Sequence, residues 1–150
     1  MPENQMIPRA QIDQICGNAI DDAKRFDMQF EDYSEKNVAE LEMLLGKLNE
    51  HIRSNDVPAE TVEKIAVIYG VYLGEAMLRN YAGGYGYKWV AKNGEPVLEK
   101  DKGNQMFPVT KVYKRLTGDE GENVYNFYNI GKHVADGSFR KKVNNNDNKE

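Results

Sequence analysis

One cysteine and two histidines stand in 150 residues, and each scarcity closes off a chemistry. A lone Cys16 cannot make an internal disulfide and leaves no cysteine cluster for zinc. His51 and His133 stand apart, with no H-E-x-x-H or similar ligand spacing, so no metal is expected. The D-x-[DN]-x-[DN]-G calcium pattern is missing, although Asp21-Asp22 and Asp119-Glu120-Gly121-Glu122 are rich in carboxylates. There is no G-x-S-x-G elbow, and Cys16 falls on an apolar stripe, the wrong place for a Cys–His pair. No catalytic residue and no cofactor follow from spacing, and the chain reads as a binding protein rather than an enzyme. Long apolar runs are also missing. The most apolar stretch, IAVIYGVYLGEAMLRN (65–80), is too short to span a bilayer and is broken by Glu75 and Arg79. The opening MPENQMIPRAQID has no basic segment followed by an apolar one, so no signal peptide is read and a cytoplasmic location is expected.

What remains is ordinary globular composition, 40% hydrophobic and 29% charged, in a chain long enough for one core. A single domain is expected over 1–137, with 138–150, ending VNNNDNKE, as a disordered tail. The net charge of −4 hides an asymmetry: residues 1–75 hold 7 Lys/Arg against 15 Asp/Glu, and residues 76–150 hold 13 against 9. An acidic half argues against nucleic-acid binding, which needs cations to replace the counterions around phosphate. It suits a basic protein partner, and it equally serves solubility.

The order of elements predicts an α+β fold: an N-terminal antiparallel helical hairpin, a central buried helix, a small antiparallel sheet and two C-terminal helices. Ile12, Ile15, Ala19, Ala23, Phe26, Phe30 and Tyr33 recur at steps of three and four, which predicts helix one from about residue 8, with Pro8 in its first turn, to the low thirties. Ser34 caps helix two, whose apolar stripe is Val38, Leu41, Leu45, Leu48 and Ile52. SNDVPAET (54–61) restarts the pattern with Asp56 as a cap and Pro58 in the first turn of helix three. Gly70 and Gly74 lie four apart on helix three, a costly choice that predicts close packing of another element there.

YKWVAK-NG-EPVLEK reads as a hairpin around Asn93-Gly94, and Pro96 makes its second arm an edge strand or delays its start. GNQMF (103–107) is a third strand or a loop. Pro108 opens a short helix with Val109, Val112, Tyr113 and Leu116 on one face and Lys111, Lys114 and Arg115 on its rim. A last helix runs from about Glu120 to Ala135, capped by the carboxylates near 119–122 and stopped by Gly137.

YAGGYGYKWV (81–90) is the most unusual stretch. Its glycines satisfy neither the G-x-x-x-x-G-K-[ST] nor the G-x-G-x-x-G spacing, and it follows a helix C-terminus, whose dipole repels anions. The glycines instead end helix three, with Gly83 or Gly84 left-handed, and Gly86 turns the chain into the sheet. Tyr85, Tyr87 and Trp89 alternate and should share a face, either inward as core or outward as an aromatic patch. Glu75 and Arg79 sit one turn apart as an i, i+4 ion pair, or else Glu75 is a pocket carboxylate.

YGVYLGEAMLRNYAGG (69–84), Trp89, FPVTKVYKRLTG (107–118) and YNFY (125–128) resemble a loose bacterial family of uncharacterised small domains, similar to immunity proteins encoded beside polymorphic toxins. The likeness spans about residues 65–135 and carries no catalytic residues. It implies a non-enzymatic immunity role; from the acidic charge of the first half, Asp21, Asp22, Glu31 and Asp32 are expected to meet a basic toxin while Tyr85, Tyr87 and Trp89 anchor the contact. The alternative is a small-molecule pocket between helix three and the sheet, lined by Glu75, Arg79 and Tyr72.

Overall fold

The computed structural model describes residues 5–101, 103–118 and 120–138. Among them five helices and a four-stranded antiparallel sheet make an α+β fold. Helices α1 (Arg9–Lys24) and α2 (Glu35–Ser54) form the N-terminal helical hairpin. Helix α3 (Ala59–Asn80) packs on α1 and on α4 (Pro108–Thr117), while α2 packs on α4 and α5 (Val124–Asp136). Every residue from Tyr69 to Met77 is buried, so α3 is the central helix that its all-round apolar sequence predicts. No described helix is long and apolar enough to cross a membrane.

Strands β2 (Lys88–Lys92) and β3 (Glu95–Asp101) are joined by Asn93-Gly94, whose φ values of 53° and 81° suit a type I′ turn and confirm the hairpin. Strand β4 is Asn104–Met106, and β1, Gln5–Met6, adds a fourth strand beside β2 that the sequence reading did not contain. β3 is therefore interior, not an edge. Pro96 is tolerated because its partner Ala91 is one step from the turn, where N–H groups point away from β2, and β4 pairs only from Leu98 onward.

Helix α1 stops well short of the low thirties. Asp27 takes φ 59°, and the bonds Asp27 N to Lys24 O (3.1 Å) and Met28 N to Ala23 O (3.1 Å) close a Schellman motif. Phe30 and Tyr33 are buried as expected, but in the α1–α2 connection and not on a helix. Pro8 and Pro58 each stand one residue before their helix, and Asp56 does not cap α3. Ser34 does cap α2, accepting from Asn37 N at 3.2 Å. The cap of α5 is Asn123, which accepts from Asn126 N at 3.0 Å, and a 3-10 turn occupies Glu120–Glu122. Asp119 and most of the tail expected to be disordered lie outside the described residues; Ser138 is placed by Asp136, which accepts its N–H at 2.8 Å.

Gly70 and Gly74 do receive close neighbours. A Cβ on Gly70 would stand 2.5 Å from Val109 Cα, and one on Gly74 would stand 2.7 Å from Trp89 Cζ2 and 2.9 Å from Pro108 Cγ. Arg115, expected on the rim of α4, is buried: it donates to Glu42 at 2.8–3.1 Å, and Glu42 also accepts from Val124 N at 3.0 Å. Nearby, Asn49 Nδ2 donates to the carbonyls of Arg115, Leu116 and Gly118 at 2.8–3.1 Å and so closes the C-terminus of α4. Asn49→Ala strips those buried carbonyls of a donor and is expected to cost about 2 kcal/mol. Asn49→Asp should cost more, since it sets a negative charge against a helix C-terminus. Urea denaturation midpoints of the two variants test the order.

Candidate functional site

Helix α3 brings Glu75 beneath the start of α1 and beside β2. Its carboxylate is 2% exposed and is met by three donors: Arg79 Nε at 2.8 Å on Oε2, and Arg9 (guanidinium NH2) at 2.8 Å and Trp89 Nε1 at 3.1 Å on Oε1. The expected Glu75–Arg79 pair is present, and Arg9 and Trp89 complete a cluster whose members lie up to 80 positions apart in sequence. Burial alone pushes the Glu75 carboxyl up; the hydrogen bonds from Arg9, Arg79 and Trp89 and the charge of Arg9 more than reverse this and hold it below its ordinary value. The group is an ionised structural carboxylate with both oxygens engaged.

Around it the packing is aromatic. Arg79 lies 3.8 Å over the Tyr33 ring, and Tyr33 and Phe30 stack on Tyr72 with centroids 4.9 and 5.0 Å away. Tyr72 is fully buried, with its hydroxyl donating to Phe30 O at 2.7 Å. Burial pushes the Cys16 thiol up to about 12, so this core cysteine is a protonated thiol at neutral pH.

The glycine stretch is a structural corner. Ala82–Tyr85 forms a 3-10 turn closed by Gly86 at φ 92°, with Tyr87 N bonding Ala82 O at 3.3 Å. Gly86, and not Gly83 or Gly84, is the left-handed residue. The turn also splits the three aromatics, which do not share a face: Tyr87 and Trp89 are each 4% exposed, and Tyr85 is 46% exposed.

The four carboxylates expected to meet a partner surround the α1–α2 connection. Asp21, Glu31 and Asp32 are exposed; Asp22 is half-buried, accepting from the Tyr69 hydroxyl and from the Arg25 guanidinium at 2.8 Å. Lys24 stands 3.7 Å from Asp21 and 4.0 Å from Glu31. The connection is clamped from beneath, by Tyr72 on Phe30 O, Asn37 Nδ2 on Gln29 O at 2.9 Å and Asn80 Nδ2 on Tyr33 O at 2.8 Å. Met28, Phe30 and Tyr33 point inward, so Glu31 and Asp32 are held outward.

A concave surface does lie between α3 and the sheet, but at the other end of α3 from Glu75. It is a groove of about 500 Å³ between α3, the β2–β3 turn and α4, with Glu63 and Glu95 among its lining. A second, of about 470 Å³, runs between α4 and α5. Neither is lined by Glu75, Arg79 or Tyr72. Comparison with family models, with curated proteins and with solved structures finds no match to this chain.

Proposed function

We propose that this chain is a non-enzymatic protein-binding protein of the immunity type, which occludes a basic toxin. The observation that carries the reading is the clamped α1–α2 connection, which holds Glu31 and Asp32 outward, beside Asp21 in the last turn of α1, on a backbone pinned by the side chains of Tyr72, Asn37 and Asn80. A loop that is already ordered loses little entropy on binding, and carboxylates fixed on it steer a cationic partner. Tyr85 is the exposed aromatic of the three proposed as anchors. The alternative, a ligand pocket at Glu75, is weakened by a carboxylate that three donors already occupy.

The test is capture of partners from the source cells with the tagged chain and with a D21K/E31K/D32K variant, followed by a growth assay of each recovered gene. The expected result is a basic partner that is toxic alone and harmless with the wild-type chain. Its association rate should fall at least about tenfold with the variant, chiefly at low salt. A partner that binds both baits at the same rate would overturn the electrostatic mechanism, and a partner without toxicity would overturn the immunity role.

A further inference from the structure

We propose that the groove between α3, the β2–β3 turn and α4 is a docking site for an arginine or lysine side chain of a basic partner, an inference that rests on the protein-binding reading above. Its floor and walls are apolar: Ala66 and Val67 from α3, Pro96 from β3, and Val109 from α4. Tyr113, 37% exposed, adds an aromatic ring to the lining. The ionisable carboxylates in the lining are Glu63 and Glu95, and no cation among the described residues lines it.

The chemistry of these groups selects the occupant. A long basic side chain has an aliphatic stem and a cationic head, and the groove offers an apolar bed for the first and carboxylates for the second. Glu63 is exposed and has no salt-bridge or hydrogen-bond partner among the described residues. Glu95 is half-buried and fixed by the Thr110 hydroxyl, which lies 2.8 Å from both of its oxygens; one donor leaves most of its acceptor capacity open. Tyr113 supplies a ring face for a cation–π contact. Of the lysines beside lining residues in sequence, Lys92 donates to Gln105 at 2.8 Å and lies over Phe107, Lys111 donates to Glu122 at 2.8 Å, Lys114 lines the groove between α4 and α5, and Lys64 is exposed outside the lining. The α1–α2 connection steers a basic partner by long-range charge, whereas this groove would read one of its side chains.

The experiment titrates the intact ¹⁵N-labelled chain with the peptide acetyl-Gly-Arg-Gly-Arg-Gly-amide, and separately with the peptide in which neutral citrulline replaces arginine. Saturable amide shifts are expected at Glu63, Val67, Asn93 to Glu95 and Tyr113. Citrulline should weaken binding, and Glu63→Gln should weaken the arginine peptide by up to about fivefold, the upper end for one exposed charge pair. Tyr113→Leu, also on the surface, should weaken the arginine peptide more than the citrulline peptide, since it removes the ring face that meets the cation. Equal binding of the two peptides would overturn the proposal, as would shifts confined to residues 21–32. In the second case the basic-partner reading survives without the groove. Seating of the arginine peptide in the groove, with no basic partner recovered by capture, would instead count against the immunity role alone.

Discussion

Gly70→Ala is expected to destabilise the protein by about 2 kcal/mol, although helix propensity alone favours alanine by about 1 kcal/mol. The opposing term is contact. The new methyl would lie 2.5 Å from Val109 Cα, 2.9 Å from Val109 Cγ2 and 3.0 Å from Val109 N. Two of these atoms are backbone, so no rotamer change relieves the overlap and α4 as a whole must move off α3. Overpacking of this kind costs up to about 3 kcal/mol, which outweighs the propensity gain. Gly17 in α1 is the matched control: it has nothing within 4 Å of an added Cβ, so Gly17→Ala should stabilise by about 0.5–1 kcal/mol. Opposite signs for two Gly→Ala changes in helix interiors, read from chemical denaturation, would establish that α3 and α4 are held at backbone contact. Stabilisation by both would sink that account.

These glycines were the clearest case of structure legible in sequence. A residue that weakens a helix twice at a four-residue spacing has to be offset by something, and the two side chains that occupy the spaces, Val109 and Trp89, come from the later elements. The Asn93-Gly94 turn, the Pro108 start of α4 and the Gly137 stop of α5 were legible for the same reason, since each depends on local backbone chemistry. Helix one ran too long because its stop has no glycine or proline. Asp27 takes the left-handed position, and Phe30 and Tyr33 continue the three-four spacing by coincidence while their side chains stack on Tyr72.

Features that depend on distant pairing were not legible. β1 is two residues long, and its identity as a strand comes only from β2. Arg115 looked like a rim charge because nothing local reveals Glu42, 73 positions earlier. The groove at Glu63 is not legible for a similar reason: a single glutamate on a helix carries no signal until the hairpin turn and Tyr113 arrive beside it. In the aromatic stretch, the 3-10 segment before the strand breaks the alternation that the sequence suggests, so Tyr85 does not join Tyr87 and Trp89.

Glu75→Ala should cost about 3 kcal/mol, the lower end for breaking a buried ion pair, because Arg9 and Arg79 are half-exposed and can turn to water whereas the Trp89 N–H cannot. Glu75→Gln keeps the shape and should cost about 2 kcal/mol, since a neutral amide accepts weakly and sets N–H groups against a guanidinium. The two variants separate charge from packing, and pH separates them further. Glu75 is held below its ordinary value of 4.5 in the folded chain, so the unfolded chain takes up its proton first as pH falls. In that interval the unfolded state binds more protons, and stability rises with pH. The contribution is thus fully present above the ordinary carboxylate value and is lost as pH drops through the lower folded value. The stability gap between wild type and Glu75→Gln is expected to be constant from pH 7 to pH 5 and to shrink below about pH 4.5. The gap between wild type and Glu75→Ala should shrink by the same amount yet leave a residue of lost packing. If the Glu75→Gln gap were instead unchanged down to pH 3, the carboxylate charge would not be what ties α1, α3 and β2 together, and packing of Trp89 on Gly74 would have to carry that junction.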